Sequence, residues 1–204
     1  MGFRVQVVMM GSAASLAKAV EAVLLRLGTI DVRLTGRFYE IGGEQGEAAL
    51  EPGWDSKVNA WSGVSFSVAK TGPVINVVLE KVGDVAQRAT VSISGYALQD
   101  LYADRRQHDS VFYARVLQIA LALGARAGLG DVDSAIEDFL PRSEQEVEKA
   151  VAAVLKSDEE PGRLAFLRRE PGKPKPGGVF IVTERPEGYW LLEHPNLLEV
   201  LDMH

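Results

Sequence analysis

"VSFSVAKTGPVINVVL", residues 64–79, decides the fold. Val64, Phe66 and Val68 alternate with Ser65 and Ser67, the period-two pattern of a strand with one face buried and one in water. Gly72-Pro73 is a turn pair, and Val74–Leu79 is a second apolar run of strand length. Further on, Val91 and Ile93 alternate with Ser92 and Ser94. Three such strands with short links predict an antiparallel meander. A doubly wound parallel sheet, covered by helices on both faces, does not tolerate strands with a wet side.

Working towards the amino terminus, Phe3–Met10 is a near-continuous apolar run, again of strand length. Leu16, Val20, Val23, Leu24 and Leu27 then recur at helical spacing, and Gly28 ends the helix as a C-cap. Ile30, Val32 and Leu34 alternate with Asp31, Arg33 and Thr35, which predicts a strand and completes a β-α-β unit. Towards the carboxyl terminus, Asp109 or Ser110 is a candidate cap for a helix with Phe112, Val116, Ile119, Ala120 and Leu123 on its face, closed by the glycines of GARAGLG (124–130). A short helix is expected over Asp133–Leu140. Ser143 and Glu146 form a capping box ahead of Val147, Val151, Val154 and Leu155.

DEEPG (158–162) marks a boundary between a main domain, 1–160, and a lobe, 161–204. In the lobe, VFIVTE and YWLLE flank the turn Arg185–Gly188 and predict a hairpin, with a helix after Pro195. About forty residues are too few to fold alone, so the lobe is expected to dock on the main sheet or extend it. The fold class expected is α+β: a mainly antiparallel sheet with helices on one face or at one end.

Composition narrows the function classes. The 204 residues are 47% hydrophobic and 25% charged, ordinary for a globular protein. No apolar stretch reaches the length of about 18 residues needed to cross a bilayer, so no membrane partner is expected. No secretory leader pattern opens the chain, and a cytoplasmic location follows as the expectation. The absence of cysteine excludes disulfides, thiolate metal sites and a cysteine nucleophile. A net charge of −6 argues against nucleic acid, because phosphate binding calls for a local excess of Lys and Arg.

Each candidate chemistry then meets its own spacing test. "VVMMGSAASLAKAV" (7–20) resembles the entrance to a phosphate loop, yet Leu16 and Ala17 stand where that loop needs Gly and Lys. The dinucleotide fingerprint fails at Ala13 and Leu16. No cofactor is expected, and Ser12 or Ser15 serves as a helix cap. The acids of GDVDSAIED (130–138), Asp131, Asp133, Glu137 and Asp138, do not match a calcium loop. They read as the acid-rich start of a helix, and no metal is expected. Among the three histidines, His194 precedes Pro195 as a turn residue and His204 is terminal. His108, with Asp104 and Asp109 nearby, is the one constellation suited to acid–base work.

Trp54 and Trp61 lie in a glycine-bounded polar segment, 42–63, with Glu44, Glu47, Glu51 and Asp55 around them. Tryptophans on an irregular loop anchor interfaces; the alternative is that both tuck down to cap an open sheet edge. Exposed, they offer aromatic anchors within an acidic rim, which suits a basic protein partner. The function expected is therefore a non-enzymatic protein-binding module, such as a toxin-neutralising inhibitor of the immunity type, with no catalytic residue. The competing expectation is a small hydrolase or transferase with its site at His108.

Overall fold

The structure, a computed structural model, describes residues 4–28, 32–37, 47–68, 74–84, 86–95, 97, 111–132, 136, 138–156, 162–169, 174 and 180–197. Its first strand, β1 (Arg4–Ser12), explains its own composition: Val5, Val7 and Met9 enter one hydrophobic core, and Val8 and Met10 enter another. A strand buried on both faces must be apolar throughout. Helix α1 (Leu16–Leu27) follows, capped by the Ser15 hydroxyl and closed by Gly28 at φ 64°.

Strands β2 (Leu34–Arg37) and β3 (Glu47–Ala48), helix α2 (Trp54–Ala60), and strands β4 (Gly63–Val68), β5 (Ile75–Val82) and β6 (Ala86–Ser94) come next. Helix α3 (Val111–Leu123), strand β7 (Ala127–Val132), helix α4 (Glu144–Val154) and strands β8 (Leu164–Arg168), β9 (Ile181–Arg185) and β10 (Tyr189–Glu193) complete the described elements. The strands form one ten-stranded sheet in the order β3-β2-β4-β5-β6-β1-β7-β8-β10-β9. Every pairing among them is antiparallel. The fold is α+β.

Helices α1, α2 and α3 share one core with the buried side of β4, β5 and β6. Helix α4 packs on the opposite face, where Val147, Val151 and Val154 meet Val8, Met10, Leu129 and Ala165. The helices of 109–157 thus part company: the second apolar side of β1 and β7 needs a cover of its own. The three C-terminal strands continue the main sheet, β8 pairing with β7. Tyr189 on β10 is buried, its phenol pushed up to about 12 by desolvation, and donates to the Ala125 carbonyl at 2.7 Å.

Three expectations need correction. The strand after α1 begins at Leu34 rather than Ile30, because pairing with β4 covers Thr35–Arg37. GARAGLG does more than close a helix: Ala127–Val132 is a strand between β1 and β8. Its glycines allow close packing, since a methyl on Gly128 would overlap the Phe166 ring and one on Gly130 would lie 2.7 Å from the Gln6 carbonyl. Asp131 belongs to that strand and is fully buried, so it is not part of a helix start. Residues 133–135 and 137, and those after 197, lie outside the described residues.

Candidate functional site

Part of the tryptophan segment is helical. Trp54–Ala60 is helix α2, packed beside α1, and Trp54 is half-buried against the main core. Trp61 is only 6% exposed and lies over Gly36 of β2, where an added methyl would overlap its ring. It covers the β2 end of the sheet from within the core. The expectation of an exposed pair is therefore corrected. Glu47 contributes backbone to β3, opposite Thr35, while Glu51 and Asp55 are exposed. Lys18, Lys57 and Lys81 are exposed too. Lys18 is paired with Glu21 at 2.6 Å, and Lys81 donates to the Asn59 carbonyl at 2.5 Å. That hydrogen bond to Glu21, then its charge and, more weakly, that of Asp55 raise the Lys18 pKa. Among the described residues, the surface here carries charges of both signs. Glu44, His108, Asp104 and Asp109 lie outside the described residues.

The same helix answers the phosphate question. Asn59 Oδ1 accepts from the Ala17 amide at 2.9 Å and the Ser15 hydroxyl accepts from Lys18 N at 3.3 Å. Two amides that an anion would need are thus held by the chain's own side chains. Asn59→Ala is expected to cost about 1 kcal/mol, the usual worth of a helix cap, read as a lower urea midpoint with an unchanged slope.

A different surface gathers polar groups. On the face opposite α1 and α3, the cross-strand registers place side chains in rows. One row runs Ser67, Asn76, Ser92, Gln6, Asp131. The next runs Thr35, Ser65, Val78, Thr90, then Val8, Leu129, Ala165. Val78 aside, the second row changes from hydrogen-bonding to apolar residues at β1, where the core under α4 begins. On the polar side lies an open concavity of about 460 Å³, lined by Thr35, Ser65, Ser67, Asn76, Ser92 and Val78, with Arg4 and Arg33 beside them. Both arginines are exposed, and Ser67 donates to Asn76 Oδ1 at 2.6 Å. Farther along the strands, Arg88 is paired with Glu80 at 2.8 Å.

No protein-family model matches the chain. No curated protein matches it in sequence. Among solved structures it is similar to Pseudomonas aeruginosa T6SS protein PA0821, at 11% identity and a TM-score of 0.41, over 98% of this chain and 72% of that one. Among the described residues, no helix is long and apolar enough to cross a membrane, and no group of His, Asp and Glu gathers as a metal site requires.

The serines of the concavity were visible in the sequence only as the wet side of alternating strands. Their convergence depends on register: Thr35 and Ser92 meet across β4 and β5, which lie between them. His194 accepts from the Asn196 amide at Nδ1, 3.1 Å away, and its ring sits edge-on to Phe180. It is a turn residue, as its place before Pro195 suggests.

Proposed function

We propose that the protein is a binding module acting by surface complementarity on another protein, with the polar face of β2, β4, β5 and β6, which no described helix covers, as its interface and no turnover there. The observation that carries this is the change along one row of the sheet. Thr35, Ser65 and Thr90 give way to Val8 and Leu129 where α4 takes over. The polar half is held on paired strands, so its hydrogen-bonding groups are positioned before a partner arrives, which reduces the ordering cost of association. A net charge of −6 supports a basic partner, since it accelerates encounter with one. A toxin-neutralising inhibitor is the concrete instance.

A photo-crosslinking amino acid at Ser65 or Asn76 tests this in the native host, with Ser56 on the exposed side of α2 as the control position. Covalent capture of one protein from positions 65 and 76, not from 56, is the expected result, and its mass should be unchanged after incubation with the chain. With that protein purified, Asn76→Arg should weaken binding about tenfold or more by blocking the concavity. Capture from 56 alone, or a processed partner, would remove the proposal.

A further inference from the structure

We infer that the part of the partner seated in the concavity is an acidic segment, one whose carboxylates meet Arg4 and Arg33. This rests on the proposed interface and names the chemistry it reads. Among the described residues that line the concavity, the two charged ones are arginines and none is a carboxylate. On the same face Glu80 and Arg88 are paired with each other. Arg4 lies at the start of β1, opposite Ser94 of β6. Arg33 precedes β2, whose Thr35 faces Ser65. Between the two lie the hydroxyl and amide groups of Ser67, Asn76 and Ser92. A guanidinium carries five donors in a planar fork, enough to keep an intramolecular contact and still engage a carboxylate. Neutral hydroxyls and amides between two such forks complete the hydrogen bonds of an extended acidic stretch without adding a charge of either sign.

This is compatible with a partner of net basic charge. Net charge acts on approach, over a Debye length, whereas contact is decided by the groups that touch. The donors of the two arginines fix which part of that partner enters.

The test uses the whole chain with a short Glu/Ser peptide and its Lys/Ser counterpart, followed by backbone amide NMR. The acidic peptide should shift the amides of Ser65, Ser67, Asn76 and Ser92, and Arg33→Glu or Arg4→Glu should weaken it about tenfold each. Arg33→Lys should keep part of the affinity, and circular dichroism should show each variant folded, as both positions are exposed. Equal or stronger shifts from the basic peptide, or none from either, would overturn the inference. Capture of the native partner at positions 65 and 76 through a neutral or basic segment overturns it while leaving the interface standing. Binding of the acidic peptide with native capture elsewhere removes the interface instead.

Discussion

Replacing Asp131 with alanine is expected to lower the unfolding free energy by about 3–5 kcal/mol, the cost of breaking a buried charge pair from one side. The carboxylate is fully buried. It accepts from the amides of Val132 at 2.7 Å, Gly162 at 2.6 Å and Arg163 at 3.2 Å, and from the Arg163 guanidinium at 2.6 Å. Alanine takes the carboxylate from those donors and removes the ion pair of a guanidinium whose side chain is only 11% exposed. Against a typical total of about 5–15 kcal/mol, the loss is large enough to unfold much of the population at physiological temperature. Asp131→Asn should be nearly as damaging, because its amide group turns donors towards donors. Arg163→Ala should cost less, since three backbone amides still hold the carboxylate. Urea unfolding of the three variants, with the double mutant to close the cycle, measures this. An Asp131→Ala midpoint within error of wild type would show that the cluster does not hold the β7–β8 junction.

Trp61→Ala is the second large effect, again about 3–5 kcal/mol, the range for deleting a buried aromatic ring. The side chain fills space that Gly36 leaves by having no Cβ. Removing it opens a cavity between β2 and the core that Val58 and Leu34 help to line out of water. Trp54→Ala should cost clearly less, because Trp54 keeps part of its surface in solvent. Any loss of partner binding in Trp61→Ala should follow the unfolded fraction and vanish at low temperature, where the variant refolds. Binding lost at full helicity and an unmoved urea midpoint would return Trp61 to an interface role.

These two residues mark where the sequence could be read and where it could not. Period-two alternation in VSFSV and VSIS revealed the antiparallel meander, since each strand reports locally on its own two faces. The capping box at Ser143 was equally local, and Ser143 does accept from Glu146 N at 3.3 Å. Asp131 was misread because an acid beside glycines resembles a helix start. Its true environment is set by Arg163 and Gly162, thirty-odd positions on in the chain. The glycines of β7 misled in the same way: Gly128 is required by the Phe166 ring of a neighbouring strand, not by a turn. The concavity was invisible for want of register, because its residues come from strands whose order only the pairing reveals.

The place of β1 in the sheet also bears on how the chain is made. Of the described strands it is the first to be synthesised, yet it lies between β6 and β7, so its two neighbours are residues 86–94 and 127–132. At about 5–20 residues per second, Val5, Val7, Met9 and their neighbours wait on the order of several seconds for a first partner and longer for a second. Neither neighbour is a hairpin partner close in sequence, and pairing across such separations is intrinsically slow. A nascent chain paused before residue 86 therefore carries an unpaired strand that is apolar on both sides, the kind of segment that holding chaperones bind.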